Sequence, residues 1–263
     1  MNSYTMTEWM AFFYIYCFLG WCIESTIVSV THRKVVNRGF LTGPILPLYG
    51  LGAVVMLVST IWVREQLVLV YIFGVIGPTI LEYVTGAIME AVFKIRYWDY
   101  SDKKFNIHGY ICLKSSLFWG VLSILLVEFV HQYVEIAIAQ IPIQKLQIGI
   151  LAVTVLFMVD VADAFKKAFD MQKWLDYATQ IRSELNELTL WATEFKESFG
   201  GAESVRQIEF MRRQEERIEK LKQELESAKQ KVGAFKKSVV SFPSATSDRF
   251  SDALQELKQI FGK

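Results

Sequence analysis

The sequence has little of what staples or ligates. Among 263 residues there are three cysteines and three histidines. Cys17, Cys22 and Cys112 are odd in number, form no C-x-x-C pair and stand in no cysteine–histidine cluster. Neither a disulfide framework nor a metal site is expected, and no cofactor is implied. Cys17 and Cys22 fall on different faces of one helix and read as free, buried thiols. An excess of charge of one sign is lacking too. A net charge of +1 excludes a general nucleic-acid binder, which needs a concentrated basic face. No G-x-x-x-x-G-K-[ST] loop is present, so this chain is not itself an ATPase of the usual kind. No nucleophile–base pair or metal spacing marks an enzyme. The opening MNSYTMTEWM has no basic leader region, and no A-x-A-like site follows, so a cleaved secretion signal is not expected.

Apolar residues are abundant. The chain is 52% hydrophobic with a mean hydropathy of +0.28, but this average joins two unlike parts. Residues 1–165 are apolar and aromatic, whereas 166–263 are charged and helix-forming. Five stretches are candidates to cross a bilayer, which needs about 20 apolar residues: about 9–30, 46–63, 67–92, 116–135 and 144–163. Arg33, Lys34 and Arg38 lie between the first two spans. Lys94, Arg96, Lys103 and Lys104 lie between the third and fourth, and Lys166 and Lys167 follow the fifth. The other side has Arg64 and Lys145. The positive-inside rule then puts the N-terminus outside and the tail in the cytosol. The fold expected is an all-α integral membrane protein with a cytosolic helical tail.

The apolar part contains a repeat. RGFLTGPILPLYG, Arg38 to Gly50, aligns without a gap on HGYICLKSSLFWG, His108 to Gly120. Upstream, GWCIE (Gly20 to Glu24) aligns on GAIME (Gly86 to Glu90). Repeat 1 covers about 9–63 and repeat 2 about 67–135. Both start outside and loop inside, so they are parallel repeats, and the fifth span belongs to neither. Glu24 and Glu90 become equivalent carboxylates, with Arg38 and His108 as matched basic partners. Glu82, Gly86 and Glu90 follow at four-residue steps on one helix face. A lone carboxylate in hydrocarbon costs several kcal/mol or more, so it must be paired, protonated or hydrated. Two readings are open: an ion pair pinning each loop, or a cation, proton or headgroup site between the repeats. Glu128 and His131 read as a pair along the fourth span. Asp160 and Asp163 read as boundary groups, the latter within reach of Lys166 or Lys167.

The loops are also open to two readings. GFLTGPILPLYGLG places Gly39, Pro44, Pro47 and Gly50 where a regular helix cannot run throughout. It is either a re-entrant turn lining a polar vestibule or a cytosolic loop with Pro44 near the first turn of the second span. In the second copy, around Gly109 and Gly120, RYWDYSDKKFN adds Tyr97, Trp98 and Tyr100. These are interfacial anchors, or else Asp99, Asn106 and His108 form a polar cluster.

In the tail, Met171, Trp174, Ala178, Ile181, Leu185, Leu188, Ala192, Phe195 and Phe199 follow 3–4 spacing, as do Met211 to Val239. Helices are expected at about 166–199, 203–240 and 247–261, the last capped by Ser247. The first two form an antiparallel hairpin turning at Gly200–Gly201 or an intermolecular coiled coil.

Taken in order, GWCIE, RGFLTGPILPLYGLG, LEYVTGAIMEAVF, RYWDYSDKKFN and GYICLKSSLFWG resemble a bacterial family of ABC-transporter type IV permeases, the CmpB-like class, over about residues 10–135. The resemblance implies transport across the plasma membrane powered by a separate ATPase subunit, docking on the basic loops around Lys34 and Lys103. By the family pattern, interest falls on Glu24, Gly39, Pro44, Pro47, Gly50, Glu82, Glu90, Trp98, Asp99, Asn106, Gly109 and Ser116. Tyr110 stands where members carry a basic residue, which argues against anion binding there. Membrane lipids and a homo-oligomer are the other partners expected. The leading function is a permease subunit. The alternatives are an anchor whose tail binds a cytosolic partner, and an intramembrane enzyme acting on lipid through His108 or Asp99.

Overall fold

A computed structural model of the protein describes residues 4–198, 205–233, 235, 241–242 and 244–261. The described chain is helical: α1 (Met6–His32), α2 (Pro47–Thr60), α3 (Leu67–Phe93), α4 (Leu113–Ile124), α5 (His131–Ala139), α6 (Ile143–Ser198), α7 (Val205–Gly233) and α8 (Ser251–Phe261). It forms two compact units. One comprises residues 1–166 with 241–246, the other 167–240 with 247–263.

Among the described residues, four helical runs are long and apolar enough to cross a membrane: α1, α3, the continuous run Leu113–Ala139 that contains α4 and α5, and α6; α2 is a shorter apolar helix. Thr5 starts α1 with a capping box, accepting from the Glu8 amide while the Glu8 carboxylate accepts from the Thr5 amide at 2.7 Å. Arg33 and Lys94 end α1 and α3 in the left-handed conformation. Pro47 occupies the first turn of α2, where its missing donor costs nothing.

The loop before α2 does not stay at the end of α1. It runs back along that helix: Val36 N–H donates to Ser29 Oγ, Arg38 N–H to Ser25 Oγ and Leu46 N–H to the Cys17 carbonyl. Cys17 lies 16 residues before the Arg33 cap, roughly 24 Å at 1.5 Å per residue. The expected span from 46 to 63 is therefore a helix of 14 residues that begins halfway down α1. Asp160 on α6 holds the loop by accepting from the Thr42 and Gly43 amides at 2.9 and 2.7 Å. Among the described residues, Gly109 is the one glycine with positive φ, so the first loop makes no left-handed glycine turn; Gly43 is needed instead for close approach to Asp160, 3.0 Å from where its Cβ would stand.

Between α4 and α5, residues Leu125–Val130 form a π-helical segment that the apolar pattern does not announce. The expected Glu128–His131 pair is replaced by two tyrosines. His131 is 2% exposed, with Tyr4 Oη at 3.1 Å from Nε2 and Tyr16 Oη at 2.9 Å from Nδ1. Both ring nitrogens are satisfied without a carboxylate. The three cysteines are free, Cys17 and Cys112 buried and Cys22 half-buried.

In the second unit the heptad seams meet within one chain. Ala178 and Ile181 of α6 pack on Leu221, Leu225 and Ala228 of α7. Lys196–Glu215 at 3.0 Å and Tyr177–Glu224 at 3.4 Å run in antiparallel register. Glu256 of α8 clamps both helices, 2.9 Å from Arg182 and 2.7 Å from Lys229. Ser247 accepts from the Phe250 amide at 3.0 Å just before α8. The expected turn at Gly200–Gly201 lies outside the described residues, as do Phe199 and Val239.

Candidate functional site

The descent of the first loop leaves space in the half of the bundle that carries the basic loops. There, residues of α1, α2, α3, α4, α6 and both loops line a cavity of about 480 Å³. Nearly half of the residues on its wall are aromatic. The charged groups on it are Glu24, Glu82 and Arg38.

Glu24 comes from α1. The Tyr49 hydroxyl of α2 donates to it at 2.6 Å, and Arg38 Nε lies 3.6 Å away. Gly20 makes this possible, because a methyl group there would overlap the Tyr49 ring. Glu82 comes from α3 and is 4% exposed. Trp119 Nε1–H of α4 donates to it at 2.8 Å and the Tyr100 hydroxyl at 3.3 Å. Among the described residues no basic side chain pairs with Glu82. Tyr49 and Trp119 meet with ring centroids 5.7 Å apart. Each acid is thus tied to a ring donor one helix away, and the two donors touch.

Glu90 is elsewhere. It is not on this wall and is paired with Arg96, at 2.8 Å to Nε and 3.2 Å to Nη2. His108 does not reach it. His108 has φ of 52° and its Nδ1 lies 3.1 Å from the Tyr83 hydroxyl, in a separate open hollow. Asp99 and Asn106 are used by their own loop. Asn106 donates to the Ser101 and Lys103 carbonyls and accepts from the Gly109 amide. Asp99 accepts from the Ser101 amide and hydroxyl. Burial alone would raise the Asp99 carboxyl. Hydrogen bonds from Ser101 and Thr246, with the Arg96 guanidinium, outweigh it and hold the group below the usual range. The Glu90 hydrogen bond in turn raises Arg96 further.

Gly50 and Gly120 are contact points between helices. A methyl on Gly50 would meet Phe13 and Cys17, and one on Gly120 would meet Tyr71 and Val75. Gly39 has room for a methyl, its nearest neighbour being 3.6 Å away. Pro47 lines the cavity, whereas Pro44 does not. Ser116, on α4, is buried. Trp98 lines the cavity and donates to the Tyr110 carbonyl at 2.9 Å.

Sequence reasoning missed a further part of the wall. Residues 241–246 lie far along the chain yet belong to this unit. Ser241 Oγ donates to the Asn37 carbonyl at 2.9 Å, and Arg38 donates to the Ser241 carbonyl. The Phe242 ring lies edge-on to Tyr97 at 4.9 Å and under the Arg38 guanidinium at 4.9 Å, on the cavity wall. Thr246 and Arg96 exchange both backbone hydrogen bonds at 2.8 Å, and Thr246 Oγ1 donates to Asp99 at 2.7 Å. A lone Phe in a Ser/Thr/Pro stretch gives no periodic signal.

Helices of this length and polarity, gathered around a cavity, define a polytopic helical membrane protein. Residues 11–165 match the family described as "Putative ABC-transporter type IV", and the chain belongs to that family. No curated protein and no solved structure matches it.

Proposed function

We propose that this chain is the membrane subunit of a transporter in a bacterial plasma membrane, with its N-terminus outside, its tail in the cytosol, and the cavity as a ligand site facing the cytosol. The observation that carries this reading is the placement of Glu24 and Glu82 on one cavity wall. Ionisable residues within membrane helices that face a cavity mark substrate or ion pathways. Five crossings follow if the descending loop and the short α2 together count as one. Irregular backbone at such depth is stable where it lines a cavity, as this loop does.

In this reading the two hairpins are sister units, but in a register shifted from the local sequence match. The same sequence step carries Phe13 to Tyr71 and Cys17 to Val75, the neighbours of Gly50 and Gly120. That step also carries Glu24 to Glu82. Glu82 therefore takes the place that the motif alignment gave to Glu90. Supporting a non-catalytic role, Asp99 and His108 have separate partners and face no common space.

Energy would come from a separate ATPase on the basic loops. Purified from its native membrane, the tagged full chain should bring an ATPase whose turnover depends on it, and Lys34→Glu with Lys103→Glu should release that subunit. A chain that carries no ATP-hydrolysing partner under cross-linking would leave an anchor, not a permease.

A further inference from the structure

We propose that the cavity takes an organic cation: an ammonium group, bare or methylated, on a small apolar body. The inference deepens the reading of this cavity as a ligand site and rests on it. Its first support is a charge imbalance. Arg38 lies against Glu24, whereas among the described residues Glu82 meets neutral donors, Trp119, Tyr100 and Ser115, and no base. The wall therefore carries one acid more than it carries bases. Uncompensated charge in a place sheltered from water attracts a counter-charge strongly.

The second support is the material around that acid. Trp119, Tyr100, Tyr49, Trp98 and Phe118 all line the same space. Aromatic faces carry a negative quadrupole and attract cations within about 6 Å of the ring centre, and such cages are a recurrent way to hold alkylated ammonium groups. The third is size. A cavity of about 480 Å³ falls inside the range of about 300–1,000 Å³ usual for small-molecule sites. An anion would face Glu82 unshielded. A sugar would find too few polar partners on an aromatic wall. A neutral apolar body would bury Glu82 without compensating it. The ammonium group could belong to a free amine or to an ethanolamine or choline headgroup, and both present the same chemistry to the site.

The test compares choline with 3,3-dimethyl-1-butanol, which replaces its nitrogen by carbon. Both are titrated by calorimetry into the full chain in phosphatidylglycerol nanodiscs. Choline is expected to bind at least about tenfold more tightly, and Glu82→Gln, which keeps an acceptor for Trp119, should remove the difference. Equal affinities in the wild type, or binding of neither probe, overturn the proposal without appeal to any variant. Those outcomes leave the transporter reading standing, since that reading is judged by the ATPase partner. Repeating the titration in phosphatidylcholine discs identifies the source. A weaker apparent choline affinity there points to headgroup occupancy, an unchanged one to a free amine, and either supports an ammonium site.

Discussion

At the scale of single residues, the cavity depends on hydrogen bonds that cannot be exchanged for water. Trp119 donates to a carboxylate that is 4% exposed. Trp119→Phe keeps the ring but strips that donor, and should cost about 1–3 kcal/mol, the usual penalty for orphaning a buried polar group. Thermal melting of the detergent-purified chain measures it, and an unchanged midpoint would mean that Glu82 finds another partner. The glycines give a sharper contrast, because the sequence presents Gly39, Gly50 and Gly120 alike. A Cβ on Gly50 or Gly120 would overlap the neighbouring helix, whereas one on Gly39 meets nothing closer than 3.6 Å. Gly50→Ala and Gly120→Ala should each destabilise by about 1–3 kcal/mol, while Gly39→Ala should melt like the parent. Asp99 adds a pH dependence with a definite sign. Its carboxyl is held below the ordinary value, so the stability it contributes is complete above about 3.8 and is lost as the pH falls through the lower folded value. Hydrogen-exchange protection around Arg96, taken relative to the intrinsic rate at each pH, should therefore fall in acid, and Asp99→Asn should flatten that response.

At the scale of elements, the π-helical turn is the feature with the clearest consequence. It inserts an extra residue's worth of rotation before His131, which then faces Tyr4 and Tyr16. Deleting the exposed Phe129 should restore a regular helix, turn His131 away from both hydroxyls and lower the melting midpoint by several degrees. A midpoint equal to the parent's would show that the wide turn is incidental. No composition rule could have found it, since LLVEFV reads as ordinary helix. Long apolar runs, by contrast, announced α1, α3 and the start of α6, because length and polarity alone decide which segments can cross a bilayer. The tail was half legible. Its 3–4 spacing fixed which faces are apolar, and Leu221, Leu225 and Ala228 are indeed buried, but periodicity is silent on whether the partner face lies in the same chain. The acids were legible as a set and not as pairs. A Gly-to-Glu spacing of four recurs at Gly20 and Gly86, so local matching favoured Glu90. Which acid faces the cavity depends on how α3 slides against α4, and that is set by Gly74 against Ser123 and Gly120 against Tyr71, contacts distant in sequence.

At the scale of the whole molecule, the membrane unit is not a contiguous stretch of chain. The family match ends at residue 165, yet residues 241–246 belong to the same compact unit. A strap of this kind closes a long loop, and its ordering must be offset by the contacts it makes. Those contacts are specific: an antiparallel bridge to Arg96, a hydrogen bond to Asp99, another to the Asn37 carbonyl, and a ring packed between Tyr97 and Arg38. The loop before α2 and the loop after α3 are thereby tied to one short segment. Thr246→Pro removes the donor to the Arg96 carbonyl, and Phe242→Ala empties the space under Arg38. Each should speed hydrogen exchange in the two loops, across 36–41 and 94–101, with little change in α1 or α3. Ser244→Ala, at an exposed position, should leave both loops as they were. A chain ending at residue 240 should show the combined effect of the first two variants, even though it keeps every residue of the family match. If exchange in the loops is the same with and without the strap, the membrane unit is complete at residue 166, and the segment only rests against it.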